Sequence, residues 1–211
     1  MSAAFYFYEC LHGDCRLRFP APESEAQRCP RCRGPLQPVA QPVTLPAAHG
    51  RSTPAPLVQL HLLLDNIRSL HNVGSIFRTA DGAGVAHLYL CGITPTPDNP
   101  RLAKTALGAE TTVRWSYHAN GVETAVSLQQ AGHRLWAIEQ CPTSTSLFAA
   151  SDLPAERPLT LLLGNEKTGV DPGLLALCEQ THHLPMRGHK RSLNVAVAAG
   201  TAVYYLVMGK T

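Results

Sequence analysis

Three short segments of the chain place polar side chains among glycines and other small residues. Residues 72–84 read NVGSIFRTADGAG, residues 164–170 read GNEKTGV, and residues 192–200 read SLNVAVAAG. Small residues of this kind let the backbone approach a ligand closely, so the segments are candidates for a binding or catalytic site. The polar candidates in them are Asn72, Arg78, Glu166, Ser192 and Asn194.

Four cysteines near the N-terminus have the spacing of a metal site. Cys10, Cys15, Cys29 and Cys32 form the pattern C-x4-C-x13-C-x2-C. Two thiolate pairs on short turns can close a tetrahedron around Zn²⁺. The pattern resembles a zinc ribbon, although its first pair departs from the usual C-x2-C. Iron instead of zinc, and His12 in place of one cysteine, are the alternatives.

The predicted metal site has a structural role, because a closed set of four thiolates leaves no open position for chemistry. A segment this short has too little apolar core to fold alone, so metal binding is expected to stabilise it. Five arginines surround the cysteines and could contact RNA, or they could form an ordinary solvated basic face. They are Arg16, Arg18, Arg28, Arg31 and Arg33.

Proline content divides the chain into two folded parts. Residues 35–56 hold six prolines and have no usable hydrophobic period. Proline fixes φ and removes a hydrogen-bond donor, so this stretch is predicted to be an extended linker. We therefore expect a zinc-ribbon-like domain over 1–36, a proline-rich linker over 37–56 and the main domain over 57–211.

Apolar strand-like runs alternate with helical segments in the main domain. Near-continuous apolar strands separated by helices predict an α/β fold with a mostly parallel sheet covered on both faces. The predicted strands are 57–65, 87–92, 112–118, 134–140, 159–165 and 181–186. The predicted helices are 73–83, 100–107, 121–131, 172–179 and 193–208, the last being ambiguous because its valines weaken helix propensity.

Composition limits the classes of protein that fit. The net charge of +3 and pI of about 8.5 are compatible with a nucleic-acid partner without indicating one. No apolar run reaches the roughly 18 residues that span a bilayer, and the first 15 residues lack the features of a signal peptide. A cytoplasmic protein with no membrane partner is expected.

Taken together, the three polar segments resemble the SpoU (TrmH-like) RNA 2'-O-methyltransferases of the SPOUT superfamily. The resemblance covers about residues 57–211, and Asn72, Gly74, Arg78 and Gly84 match the first motif of that family. It implies an enzyme that uses S-adenosylmethionine to methylate a ribose 2'-hydroxyl in tRNA or rRNA. It also implies a deep C-terminal trefoil knot and a homodimer in which each site borrows residues from the partner.

The resemblance assigns roles to the polar residues. Arg78 inherits the catalytic role, with Asn72 in the same motif, and Glu166 is expected to brace the active-site arginine or asparagine. A guanidinium has a pKa above roughly 12 and is a poor base. We therefore expect Arg78 to orient a phosphate and polarise the hydroxyl, while Ser192 and Asn194 line the catalytic pocket.

The resemblance also assigns a cofactor site. Gly164 is expected to lie against the adenosyl group of S-adenosylmethionine, and three apolar residues are expected to present their backbone to the adenine. Those three are Leu184, Met186 and Leu193.

Two other functions remain open from the sequence. One is a non-catalytic RNA-binding or assembly protein that has kept the fold, against which the intact set of polar candidates speaks. The other is a SPOUT enzyme that methylates a base instead of a ribose. An arginine-to-alanine variant at Arg78 separates the first from an enzyme, and analysis of the methylated nucleoside separates the second.

Overall fold

A computed structural model of the chain describes residues 4–43, 58–150 and 157–208. The described residues form ten strands and six α-helices. The chain divides into two compact units, Met1–Thr53 and Pro54–Thr211, and each is considered by itself below.

The N-terminal unit is a small antiparallel sheet. Its strands are β1 (Phe5–Cys10), β2 (Arg18–Pro22) and β3 (Leu36–Ala40), in the order β2-β1-β3. Tyr8 on the central strand is 6% exposed and packs against the Phe19 ring. This aromatic core is small, as expected for a segment of this length.

Strand β3 corrects part of the predicted linker. Residues 37–40 belong to the predicted extended linker, but in the structure they are part of a strand that pairs with β1, and Pro38 lies opposite Tyr8. Proline is tolerated here because β3 is an edge strand with one neighbour in the described sheet. Residues 44–56 of the predicted linker lie outside the described residues.

The C-terminal unit is built on a seven-stranded sheet in which every pairing is parallel. The strand order is β6-β5-β4-β9-β7-β10-β8. All six predicted strands are present, and the two-residue β8 is an addition. The strands are β4 (Leu60–Asp65), β5 (His87–Cys91), β6 (Trp115–His118), β7 (Arg134–Ile138), β8 (Thr145–Ser146), β9 (Leu159–Leu163) and β10 (Gln180–His183).

Helices cover both faces of this sheet, which confirms the predicted architecture. One face carries α1, α2, α3 and α6, and the other carries α4 and α5. None of the helices in the described part of the chain is long and apolar enough to cross a membrane. The helices are α1 (Leu70–Ala83), α2 (Pro100–Ala106), α3 (Ala109–Thr112), α4 (Gly121–Gln130), α5 (Pro172–Leu175) and α6 (Val195–Met208).

The central strands explain why the sheet is parallel and covered. Every residue of β4 and of β9 is buried, which requires apolar layers on both faces. Strand β9 lies between β4 and β7, although both of these precede it in the chain. Its carboxyl end therefore emerges in the middle of the sheet, where ligands of open α/β sheets commonly bind.

Helix α1 carries the first polar segment and begins at a side-chain cap. The Ser69 hydroxyl accepts a hydrogen bond from the Asn72 backbone N–H at 3.3 Å, a common way to satisfy a free donor at a helix start. Gly74 lets α1 pack closely on α2, because a Cβ at this position would collide with the side chain of Thr105. The cap therefore fixes Asn72 in the first turn of α1.

Candidate functional site

A cavity of about 300 Å³ lies at the carboxyl edge of the parallel sheet. Its lining includes the last residues of three strands, Ile138 of β7, Leu163 of β9 and His183 of β10. This volume is at the lower end of the range for small-molecule sites. The four residues expected to contact a cofactor all line it: Gly164, Leu184, Met186 and Leu193.

A tight turn over residues 164–169 forms one wall of the cavity. The backbone groups of Asn165 and Gly169 exchange two hydrogen bonds, at 3.0 and 2.9 Å. Gly164 lies directly against this turn, and a Cβ on it would collide with the backbone of Gly169 and Val170. Only glycine fits here, so the motif glycine is explained by close backbone packing within the wall.

Glu166, at the tip of this turn, holds the loop that leads from β4 into α1. Its carboxylate accepts hydrogen bonds from the backbone N–H groups of Arg68 and Ser69, each at 3.0 Å, and from Asn72 Nδ2 at 2.9 Å. Burial alone would raise the pKa of Glu166, but these hydrogen bonds outweigh it and lower the pKa below the ordinary value. The carboxylate is therefore stabilised in its charged form.

Asn72 links the first and third polar segments through its side-chain amide. Its Nδ2 donates to Glu166, and its Oδ1 accepts a hydrogen bond from Asn194 Nδ2 at 2.9 Å. Asn194 Oδ1 in turn accepts from the backbone N–H groups of Ala196 and Val197 at the start of α6. Residues of all three segments thus form one continuous chain, in the order Glu166, Asn72, Asn194.

The other two polar candidates, Ser192 and Arg78, are not part of this hydrogen-bonded chain. Ser192 lines the cavity, close in sequence to Asn194. Arg78 is exposed on α1, and its side chain makes no hydrogen bond or ion pair with any residue that the structure describes. Within one chain, the structure therefore brings Asn72, Glu166 and Asn194 together beside the cavity that Ser192 lines, and it leaves Arg78 free.

Three further cavity-wall residues were assigned no functional role from the sequence. The Glu139 carboxylate accepts hydrogen bonds from the backbone N–H groups of Gln140 and Val170, both at 2.9 Å. Asn165 Nδ2 donates to the Asn66 carbonyl at 2.6 Å, and His183 Nδ1 hydrogen-bonds Ser144 Oγ at 3.0 Å. The available signal was the position of Glu139 near the end of a predicted strand, 134–140.

The four cysteines of the N-terminal unit converge on one point. Their Sγ atoms all lie within 4.8 Å of one another, and two of the separations are 3.4 Å for Cys10–Cys32 and 3.7 Å for Cys15–Cys29. Sulfurs at 2.3 Å from a tetrahedral Zn²⁺ would be roughly 3.8 Å apart. The donor set and its spacing fit zinc.

Backbone N–H groups surround these sulfurs. Burial would raise the pKa of the Cys29 thiol, but hydrogen bonds from the N–H groups of Cys32 and Arg31 help to lower it to about 7. These donors favour the thiolate of Cys29, the form that binds metal, whereas the pKa values of the Cys10, Cys15 and Cys32 thiols are raised. His12 is not a member of the four-sulfur cluster.

Comparison with known proteins points to one family. The profile of the SpoU rRNA Methylase family matches residues 59–204. A 23S rRNA (guanosine-2'-O-)-methyltransferase of Haemophilus influenzae, RlmB, is 34% identical over 70% of this chain and 59% of its own. A tRNA (guanosine(18)-2'-O)-methyltransferase of Escherichia coli K12 is 30% identical over 69% of this chain and 61% of its own. The chain spans about three-fifths of the length of these curated relatives.

Solved structures give the same result for the fold. An AdoMet-bound rRNA methyltransferase from Sinorhizobium meliloti matches with a TM-score of 0.65 and 28% identity, over 70% of this chain and 55% of its own. The SpoU methyltransferase AviRb from Streptomyces viridochromogenes, in complex with AdoMet, matches with a TM-score of 0.64 and 25% identity, over 84% of this chain and 66% of its own.

Proposed function

Because the chain belongs to the SpoU rRNA Methylase family, we propose that it transfers a methyl group from S-adenosylmethionine to a ribose 2'-hydroxyl of tRNA or rRNA. The observation that carries the proposal is the hydrogen-bonded chain from Glu166 through Asn72 to Asn194, which borders the cavity at the carboxyl edge of the sheet. The curated relatives are named for this reaction on guanosine.

The lining of the cavity suits the methyl donor. Gly164 contributes backbone without a side chain, while Leu184, Met186 and Leu193 contribute apolar surface suited to an adenine ring. Polar groups converge at the same wall, among them Ser192 and Asn194. We assign Gly164, Leu184, Met186 and Leu193 to cofactor binding.

The reaction joins the ribose 2'-oxygen to the methyl carbon, breaks the bond from that carbon to sulfur, and releases the hydroxyl proton. S-adenosylmethionine supplies an electrophilic methyl group, so the protein must position the hydroxyl and stabilise its developing negative charge. Arg78 has five N–H donors in a fixed fork, which suits the neighbouring phosphate and the hydroxyl oxygen. That phosphate would relay the hydroxyl proton to water.

Glu166 and Asn72 hold the start of α1, the helix that carries Arg78, in place. Three hydrogen bonds to Glu166 fix the loop that begins α1, and α1 carries Arg78. Asn194 ties this loop to the start of α6. We therefore assign Arg78, Asn72, Glu166, Ser192 and Asn194 to the catalytic site, with Arg78 facing the RNA and the others organising the pocket.

A homodimer is part of the proposal. Arg78 follows Asn72 by six positions on α1, which places it roughly 9 Å further along the helix and about 120° around it. The Arg78 side chain therefore projects away from the hydrogen-bonded series of Glu166, Asn72 and Asn194. It is available to a site in a second subunit. Exposed apolar side chains on α6, at Val197, Tyr204 and Met208, are 53%, 46% and 51% exposed and suit such an interface.

Zinc and the knot complete the proposal. The four-sulfur cluster of the N-terminal unit is assigned to a structural Zn²⁺, because its donor type and spacing match. The deep trefoil knot of the SPOUT superfamily is assigned to the C-terminal unit. It is supported by the insertion of β9 between β4 and β7, which both precede it in the chain.

The test is methyl transfer from labelled S-adenosylmethionine to total RNA, followed by nucleoside analysis. The wild type is expected to yield a 2'-O-methyl nucleoside, which is recognised because it resists alkaline cleavage. Arg78→Ala is expected to lower the rate by about 10²–10³-fold, the usual cost of removing one donor that stabilises a developing oxyanion. Arg101→Ala, which removes another exposed helix arginine, is the matched control and should retain activity.

Each other result has a defined meaning. A labelled base would support the base-methyltransferase alternative. Absence of both methyl transfer and cofactor binding, together with RNA binding that Arg78→Ala leaves intact, would support the non-catalytic alternative. Cofactor binding without transfer would point to a specific substrate or partner that the assay lacks. Equal rates for the wild type and Arg78→Ala would remove Arg78 from the proposed site.

A further inference from the structure

The described arginines of the N-terminal unit gather at the end that holds the cysteines. All of them lie between residues 16 and 33, and all are exposed. Among their side chains, only that of Arg16 has a hydrogen-bond or ion-pair partner within the described residues. The guanidinium groups of the other four have none: Arg18, Arg28, Arg31 and Arg33.

Two of the acidic residues of this unit lie at the opposite end. Glu23 and Glu25 follow β2, and the Glu23 backbone N–H donates to the Ala4 carbonyl at the start of β1. Cys10 ends the same strand, so roughly 17–20 Å separate the two ends. The charges are therefore segregated along the sheet.

Two acidic residues, Glu9 and Asp14, remain near the cysteines. Glu9 pairs with Arg16 at 3.4 Å, but the Arg16 side chain is 76% exposed, and such pairs are weak and easily exchanged. The cysteine end keeps an excess of free guanidinium groups.

Two of these arginines stand where the backbone favours glycine. Arg16 has φ 41° and Arg33 has φ 62°, and each directly follows the last cysteine of its pair, Cys15 or Cys32. Left-handed backbone is unfavourable for residues that carry a Cβ. Equivalent arginines at both turns, each held against local preference, indicate that the side chains have a use.

We propose that the cysteine end of the N-terminal unit binds RNA phosphates through Arg16 and Arg33. Their neighbouring cysteines have sulfurs within 4.8 Å of each other, so the two arginines flank a single metal site. A guanidinium matches a phosphate with two parallel hydrogen bonds. This inference rests on the proposed function, because it takes the RNA substrate of the C-terminal unit as the partner.

A different role for the two arginines would be to balance charge at the metal. Four thiolates and one Zn²⁺ carry a net charge of −2, which nearby guanidinium groups would stabilise. The two roles predict opposite effects for glycine at these positions. A phosphate-binding arginine can be replaced by glycine without loss of metal and with relief of backbone strain, whereas a charge-balancing arginine cannot.

The experiment compares the full-length wild type with the double variants Arg16→Gly/Arg33→Gly and Arg16→Lys/Arg33→Lys. Affinity for labelled unfractionated tRNA and for rRNA fragments is measured by fluorescence anisotropy over a range of salt concentrations. Zinc content and melting temperature are measured on the same samples. The lysine variant is the matched control, since it keeps both the charge and the strained backbone.

Glycine at both positions is expected to weaken RNA binding about tenfold near 0.1 M salt. It should also reduce the slope of log K against log salt by about 1.5, the value for two lost phosphate contacts. Zinc content should stay the same, and the melting temperature should not fall. The lysine variant should bind within about threefold of the wild type, because it retains the electrostatic part of the contact.

Unchanged RNA affinity in the glycine variant would overturn the inference, and so would loss of zinc from that variant. The proposed function is tested separately, by assaying methyl transfer with the wild-type protein. If the glycine variant binds RNA more weakly than the wild type and neither protein transfers a methyl group, the phosphate site would be supported and the proposed methyltransferase activity would be rejected.

Discussion

The two candidate sites of this protein are held together in different ways. In the cysteine cluster, two sulfur pairs, at 3.4 and 3.7 Å, join residues 22 and 14 positions apart, and the side chains converge on a point suited to a metal ion. At the carboxyl edge of the large sheet, hydrogen bonds join residues 94 and 122 positions apart, from Glu166 to Asn72 and from Asn72 to Asn194.

The difference shows where each site obtains its rigidity. The cysteine cluster belongs to a three-stranded sheet with a small aromatic core, so metal binding supplies much of its folding free energy. The cavity belongs to a buried parallel sheet whose packing exists before any ligand binds. Changes to the first site should therefore unfold a whole unit, while changes to the second should alter binding and rate in a unit that stays folded.

The largest effect is expected from Cys29→Ser. It removes one of four metal ligands, and structural zinc contributes on the order of 10 kcal/mol to the folding of small metal domains. The N-terminal unit should lose zinc and unfold, while S-adenosylmethionine binding by the C-terminal unit persists. Zinc content, calorimetry of both transitions and cofactor titration measure this, with Cys178→Ser as the matched control.

Chelation of zinc from the wild type should reproduce the Cys29→Ser result. A single cooperative transition in which both units melt together, or loss of cofactor binding on chelation, would contradict the proposed independence of the two sites.

An intermediate effect is expected from Gly164→Ala. The added Cβ would collide with the backbone of Gly169 and Val170, and overpacking of this kind costs about 1–3 kcal/mol. The cavity wall should shift, so the Kd for S-adenosylmethionine should rise at least tenfold by calorimetric titration. Gly188→Ala is the matched control, since nothing lies within 4 Å of a Cβ at that position. Equal affinity in both variants would show that the wall does not depend on Gly164.

The smallest effect on stability is expected from Glu166→Gln. In the variant, the glutamine NH₂ group would face a backbone N–H that donates to the carboxylate in the wild type. The loss of this hydrogen bond should lower the free energy of unfolding by roughly 1 kcal/mol. The rate should fall about tenfold, because the loop at the start of α1 loses a fixed position. Glu179→Gln, at a surface ion pair with Arg134, is the matched control and should keep its rate.

The same variant tests the direction of the pKa shift at Glu166. A carboxylate whose pKa is lowered by folding stabilises the protein above its ordinary value of 4.5, and that stabilisation is lost as the pH falls through the lower, folded pKa. The difference in melting temperature between the wild type and Glu166→Gln should therefore narrow below pH 4.5. A constant difference across this range would contradict the shift.

Local pattern in the sequence was enough to predict most elements of the large sheet. The buried strands β4 and β9 were predicted because continuous apolar runs require two covered faces. Strand β3 was missed because its proline is typical of a linker but is also tolerated in an edge strand. Strand β8 was missed because two residues are too few to show an alternation of apolar and polar side chains. Helix α5 ends at Leu175, four residues before its predicted end.

By itself, the sequence determined the cysteine spacing, the order of six strands and five helices in the C-terminal unit, and the polar residues of the three segments. These depend on neighbouring residues, whose types and periods are visible in a linear string. Only the tertiary structure decided that β9 lies between β4 and β7, that Glu166 holds Asn72, and that Arg78 stays free of the cluster. Such contacts follow from how distant strands pack, and no local pattern encodes that packing.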